Sequence, residues 1–198
     1  MKIIIVGASG TIGKKVTEAL RGENEIITAG SKSGDIQVDI SSTESIEAFY
    51  KQTGNFDALI SVTGNAYFGP LKTMTIKDFD IGIQSKVRGQ VNLVLIGQHY
   101  INAKGSFTLT SGILSDDPIL LGVNPAAVNG AINAFTKSAA IELENGVRIN
   151  AISAGVVEDA PGYFSYFPGH IPVTMDRVTN AYYKSVFGAL TGQVIQVW

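Results

Sequence analysis

Two stretches of this chain combine residue types and spacing that could do chemistry. The first is G-A-S-G-T-I-G, Gly7–Gly13. It follows K-I-I-I-V, Lys2–Val6, an apolar β-branched run suited to a strand buried on both faces. It leads into K-K-V-T-E-A-L, which has helical spacing. Strand, glycine turn and helix make the geometry of a dinucleotide phosphate site. Gly7 permits the tight turn, Gly10 lets the backbone approach a pyrophosphate, and Gly13 allows close packing of helix on strand. The helix start offers free N–H groups and a partial positive charge to an anion. Candidate contacts are therefore Gly7, Ser9, Gly10, Thr11, Ile12 and Gly13. The competing reading is an ordinary glycine-rich turn.

The second stretch follows the next strand, E-I-I-T-A at Glu25–Ala29. Enzymes that prefer NAD place a carboxylate here, against the ribose 2′-hydroxyl. This chain has Ser31, Lys32 and Ser33, with no carboxylate before Asp35. Two hydroxyls and a cation suit a 2′-phosphate, so the expected cofactor is NADP rather than NAD. A polar turn without a ligand has similar composition.

Composition narrows the function classes. With 198 residues the chain is long enough for one α/β domain with a sizeable core. A formal net charge of −2 makes no electrostatic case for nucleic acid or an anionic membrane surface. The absence of cysteine excludes disulfides and a thiol nucleophile. The histidines, His99 and His170, are too few and too far apart in sequence for a Cys/His metal cluster. No apolar run is long enough to span a bilayer. Met1 leads straight into the first strand and leaves no room for a signal peptide, so a cytoplasmic protein is the expectation.

The elements that must position these groups alternate along the chain. Strands are predicted at Ile36–Ile40, Asp57–Val62, Gly105–Ser111, Gly146–Ser153 and Gly192–Val197. The strand at 57–62 runs into Thr63 and Gly64, and that at 146–153 into Ala154 and Gly155, both at the ligand edge expected of such a sheet. Helices are predicted after Ser41 or Ser42, over 71–100 as two helices or one broken helix, over 125–144 and over 176–187. His99, at the end of the second of these, is expected as a packed or capping residue. Alternating strands and helices without a linker or repeat predict one Rossmann-type, doubly wound parallel α/β domain over 1–198.

Several separate matches make the chain resemble a short-chain dehydrogenase/reductase over nearly its whole length. They are the glycine loop, with one glycine displaced, and V-D-I at Val38–Ile40. F-T-L-T-S ends at Ser111, and A-F-T-K-S-A-A-I-E-L covers Ala134–Leu143. V-R-I-N-A-I-S-A-G covers Val147–Gly155, and L-T-G-Q-V-I covers Leu190–Ile195. The resemblance implies that Asp39, with Ile40, contacts adenine. It also implies chemistry by Asn, Ser, Tyr and Lys: the tyrosine as acid and base, the lysine lowering its pKa and holding the nicotinamide ribose, the serine orienting a carbonyl. Here the tyrosine position falls on Pro125, the lysine on Asn129 and the asparagine on Lys86, and only Ser111 matches. No Tyr-x-x-x-Lys pair is expected to serve anywhere in the chain.

Three candidates remain for the reacting end. Ser111, with no base of its own, is a poor nucleophile but could orient a carbonyl; equally, it could simply finish its strand. Lys86 is expected as a solvated helix lysine, and would replace the missing charge only by pointing into the cleft. Tyr163 lies in G-Y-F-S-Y-F-P-G-H-I-P, Gly162–Pro172, where the resembled family carries its substrate lid. With Tyr166 and His170 it could bring an acid to the site, although packing is the ordinary role of such aromatics. The reading is an NADP(H)-binding oxidoreductase with a degenerate site and an unknown small-molecule substrate. The alternative is a non-catalytic NADP(H)-binding or sensing module. Gly89–Ile101 is apolar around much of its circumference, and 126–143 is alanine-rich. Both features predict a homodimer or homotetramer through these helices, as the resemblance also implies.

Overall fold

The strand β1 (Lys2–Val6) divides its side chains between two cores. Ile4 and Val6 face one, Ile3 and Ile5 the other, and all four are fully buried. A strand covered on both faces needs no polar alternation, hence the unbroken apolar run. The computed structural model describes residues 1–198. The other strands are β2 (Glu25–Gly30), β3 (Ile36–Gln37), β4 (Phe56–Ser61), β5 (Ile101–Thr110), β6 (Arg148–Ala154) and β7 (Val194–Val197). All seven pair in parallel, in the order β3-β2-β1-β4-β5-β6-β7. The order reverses between β1 and β4, which opens a crevice beyond their C-terminal ends.

Helices cover both faces. On the Ile4 side lie α2 (Thr43–Thr53), α4 (Gly89–Gly97) and α5 (Val123–Glu142), which add Ile46, Phe49, Leu93 and Ile132 to that core. On the Ile3 side lie α1 (Thr11–Leu20) and α6 (Met175–Phe187), which add Val16, Leu20, Val178 and Tyr182. Each large apolar side chain buried this way is worth roughly 1.5–3 kcal/mol. Tyr50 is buried in the first core, stacked on Phe56 and Tyr100, and its hydroxyl donates to the Leu93 carbonyl at 2.6 Å.

Several expected boundaries move. The third strand pairs over only two residues, because the Asp39 side chain accepts from the Ser41 N–H at 2.9 Å and turns the chain. The fifth strand starts earlier, at Ile101, with its register against β4 shifting between Phe56 and Ala58. The 71–100 stretch is broken, but by a π-helical turn (Ile83–Arg88) between α3 (Ile76–Gly82) and α4. His99 is not packed: it is exposed in the turn after α4. The 158–173 segment folds over a small third core of Ile113, Leu114, Val156 and Phe167. It does not cover the outer sides of α4 and α5, where Leu95 is 50% and Ile141 86% exposed.

Candidate functional site

At the C-terminal edge of the sheet lies a cleft of ≈ 940 Å³. Its floor is the glycine turn. Gly7 has φ +89°, and a Cβ there would lie 2.3 Å from the Val62 carbonyl. A Cβ at Gly13 would lie 2.1 Å from the Gly7 carbonyl, so α1 packs directly on the turn. A Cβ at Gly10 would have only the Gly7 carbonyl near it, at 3.5 Å, and would otherwise project into open space. Gly10 caps α1 without a side-chain acceptor, and the N–H groups of Thr11, Ile12 and Gly13 make no hydrogen bond within the protein. Three free donors at a helix start, beside open space, fit a pyrophosphate.

One end of the cleft is built by the turn after β2. Ser31, Lys32 and Ser33 are exposed and line it, opposite Ser9. Lys14, Glu18 and Arg21 lie with Ser9 and Ser33 around an adjoining recess, so cations outnumber the carboxylate there. Asp39 and Ile40 line the same end. Asp39 Oδ1 accepts from both the N–H and the hydroxyl of Ser41, and these bonds hold its carboxyl below the usual carboxylate range.

The other end is formed where β4, β5 and β6 stop. Thr63, Gly64, Lys86, Ser111, Gly155 and Tyr163 line it. The side chain of Lys86 is not the solvated helix lysine expected from sequence. The π-helical turn carries it inward, against Gly64, where a Cβ would fall 2.7 Å from its Cα, Cβ and Cγ. Gly64 has φ +114°, so the close contact and the backbone both select glycine. Lys86 Nζ donates to the Ser111 carbonyl at 2.9 Å. Part of the side chain is exposed, but its charged end is enclosed, and burial lowers its pKa to about 8. Ser111 is buried and its hydroxyl has no partner. Asn129, at the position implied for lysine, is also buried, with an unpartnered Oδ1. An orphaned buried oxygen is costly and uncommon.

Tyr163 sits on a single short helical segment, Pro161–Tyr166, at the cleft mouth. It is half exposed and packs at 6.1 Å from Phe68 and 6.4 Å from Tyr166. Tyr166 and His170 do not reach the cleft. They line a separate cavity of ≈ 650 Å³, where His170 Nε2 lies 3.6 Å from Asp117 Oδ2. The spacing Tyr-x-x-x-Lys does occur once, at Tyr100 and Lys104. It spans the start of β5, at the end of the sheet away from the cleft, and Tyr100 is stacked on Tyr50. Asn124, beside Pro125, is no acid either: its Oδ1 accepts from the Tyr67 N–H at 2.8 Å and its Nδ2 donates to the Phe79 carbonyl at 2.8 Å. Sequence reasoning missed this brace.

Seventeen of the residues singled out from sequence, from the glycine loop to Tyr163, border one cleft, whereas Tyr166 and His170 do not. Comparison with known proteins bears on the family and the fold. The profile of the enoyl-(acyl carrier protein) reductase family matches residues 3–167. Versicolorin reductase 1 of Dothistroma septosporum is 27% identical over 177 residues, covering 83% of this chain and 66% of its own. A hydroxynaphthalene reductase of Aspergillus fumigatus is 26% identical over 171 residues, covering 82% of this chain and 60% of its own. The chain therefore spans about two thirds or less of the length of these curated relatives. A Listeria innocua protein of solved structure superposes with TM-score 0.98 at 49% identity, over the whole of both chains. A small-chain dehydrogenase solved in complex with NADPH superposes with TM-score 0.88 at 29% identity, over 100% of this chain and 96% of that one.

Proposed function

This chain belongs to the short-chain dehydrogenase/reductase family, and from that premise we propose that it is an NADP(H)-dependent oxidoreductase acting on a small carbonyl or alcohol substrate. One observation carries the reading: a single cleft runs from three free helix-start donors, past a basic turn, to Lys86 and the orphaned hydroxyl of Ser111. In this reading the N–H groups of Thr11, Ile12 and Gly13, with Gly7, Ser9 and Gly10, hold the pyrophosphate. Ser31, Lys32 and Ser33 hold the 2′-phosphate, with Lys14 and Arg21 behind them. Asp39 and Ile40 flank adenine. Thr63, Gly64 and Gly155 border the nicotinamide half, and Ser111 orients the substrate carbonyl. Tyr163 closes the mouth over the substrate. The NADPH bound by the small-chain dehydrogenase of similar fold supports the choice of cofactor. Both curated relatives are named as reductases, which supports the direction of the reaction.

Titration of intrinsic fluorescence with NADPH and with NADH tests this. NADPH is expected to bind more tightly. Equal affinity would remove the 2′-phosphate role of residues 31–33, and no response to either would end the nucleotide reading.

A second reading has its own observation. Pro125 and Asn129 replace the family's acid and its lysine, which favours a module that binds NADP(H) without turnover. Binding without reduction of any carbonyl in a broad screen would select it. We also propose that the chain assembles as a homodimer, or a tetramer built from one. Leu95 on α4 and Ile141 on α5 expose apolar surface, and Gly130 faces open space between exposed Ala127 and Ala134. Sedimentation at micromolar concentration is expected to give a dimer or tetramer that Leu95→Glu converts to monomer. A monomeric wild type would refute it.

A further inference from the structure

We propose that Lys86 is the proton donor to the substrate's carbonyl oxygen in reduction, and the proton acceptor in oxidation, in place of the tyrosine that Pro125 displaces. The inference rests on the NADP(H) reading above and adds the group that the altered helix start lacks. Its first support is position. The π-helical turn inserts Lys86 between the loop after β4 and the end of β5, against Gly64 and within 2.9 Å of the Ser111 carbonyl. Turns of this kind re-aim a side chain that a regular helix would send elsewhere. The unpartnered, buried Ser111 hydroxyl belongs to the same residue whose backbone carbonyl holds the ammonium. In this proposal a substrate carbonyl taken up by that hydroxyl would lie at the residue that also anchors the proton source.

Its second support is the lack of a counter-ion. No carboxylate lies within ion-pair distance of Lys86. The π-turn's other cation, Arg88, donates to Gln84 Oε1 at 2.8 Å. On α3, Asp78 is held in a capping box by Thr75, and Asp80 forms no ion pair. The helix α4 carries no titratable side chain, and α5 carries none as far as Thr136. Of the cleft's other titratable groups, Lys32 and Asp39 stand at the opposite end, and Tyr163 makes no hydrogen bond to Lys86. An ammonium kept from water without an anion gives up a proton more readily than a solvated one, and burial brings this one to about 8. The balance is complete. Reduced nicotinamide, when bound, supplies hydride to the carbonyl carbon. Lys86 transfers one proton to the carbonyl oxygen, becomes the neutral amine and regains a proton from solvent through the cleft once product has left. In oxidation the neutral amine takes the alcohol proton.

The test uses the full chain with NADPH and, as probe substrate, 9,10-phenanthrenequinone, a planar vicinal diketone. The first readout needs no turnover. The Lys86 Nζ resonance, assigned by its absence from Lys86→Met, is titrated by NMR in the free protein. A midpoint near 8 is expected, and a midpoint above 10 would overturn the proposal. The second readout is the rate against pH. Wild-type reduction should decline above pH 8 as the ammonium deprotonates. Lys86→Met should be slower by roughly 10²–10⁴-fold and lose that limb. Lys86→Arg keeps the charge but releases no proton in this range, and should be as slow as the methionine variant. Tyr163→Phe should keep the wild-type pH limb. Both Lys86 variants should still bind NADPH within about threefold of wild type, since other residues carry the pyrophosphate and 2′-phosphate contacts. Failure of wild type to bind NADPH would refute the cofactor reading. Reduction by Lys86→Met at the wild-type rate would refute only the role of Lys86, whereas NADPH binding without quinone reduction would refute that role together with turnover and favour the non-catalytic module.

Discussion

A methyl group placed at Gly10 and, separately, at Gly13 distinguishes a ligand-binding glycine turn from a merely structural one. At Gly10 the backbone is extended, φ −73° and ψ 171°, which alanine adopts without strain. The new Cβ would meet only the Gly7 carbonyl, at an ordinary 3.5 Å. Lower unfolded-chain entropy favours alanine by about 0.4–1 kcal/mol. Alanine is the poorer N-cap by a similar amount, about 1 kcal/mol or less. The free protein should therefore melt within a degree or two of wild type, at roughly 2–4 °C per kcal/mol for a chain of this size. The same methyl projects into the space assigned to pyrophosphate. Losing one charge-assisted hydrogen bond costs about 1.5–3 kcal/mol, or at least roughly tenfold in NADPH affinity. At Gly13 the Cβ would stand 2.1 Å from the Gly7 carbonyl and 2.9 Å from Ala8 Cα, both backbone atoms that cannot swing aside. Overpacking of that kind costs up to about 3 kcal/mol, offset by about 1 kcal/mol from alanine's helix preference. A net loss of about 2 kcal/mol lowers Tm by roughly 4–8 °C, and NADPH binding falls with it as α1 retreats. Differential scanning fluorimetry with and without NADPH reads both. A Gly10→Ala protein that binds NADPH as wild type does would refute the assignment of this turn.

Three further outcomes follow from particular contacts. Lys32→Glu should weaken NADPH by roughly 10–100-fold through loss of a charge-assisted contact and leave NADH binding nearly unchanged, checked by parallel titrations. Asn124→Ala removes the acceptor of the Tyr67 N–H and the donor to the Phe79 carbonyl; leaving those groups unsatisfied should cost about 2–5 kcal/mol in a denaturant melt, and a loss below about 1 kcal/mol would contradict the brace. Asp57 accepts from the Asn102 side chain and the Lys2 N–H, which hold its pKa below the usual range. A depressed carboxyl stabilises the fold above its unfolded pKa and loses that contribution as pH falls through its folded one, so Asn102→Ala should flatten the stability decline below about pH 4.

The sheet was legible because its strands are buried on both faces. Continuous apolar runs such as Lys2–Val6 have no other comfortable place in a chain of this size. The glycine turn and the polar turn after β2 were legible because glycine spacing and turn composition are local signals. Boundaries moved where a side chain turned the chain, as Asp39 does at β3. Lys86 was misjudged for a different reason. A π-helical turn leaves no mark in helical periodicity, so a residue placed outward by a regular 3.6-residue count is turned inward instead. The Asn124 brace depends on partners 57 and 45 residues away, which no local pattern can show.

In the proposed complex one cleft holds NADP(H) with its nicotinamide beside Lys86 and Ser111. A crystal structure of the protein grown with NADPH tests it most directly. Pyrophosphate is expected on the N–H groups of Thr11 and Ile12, 2′-phosphate against Ser31–Ser33, and nicotinamide C4 facing the space between Lys86 Nζ and the Ser111 hydroxyl. Electron density for the dinucleotide elsewhere, or nicotinamide turned out of the cleft with Lys86 still buried beneath protein atoms, would contradict it.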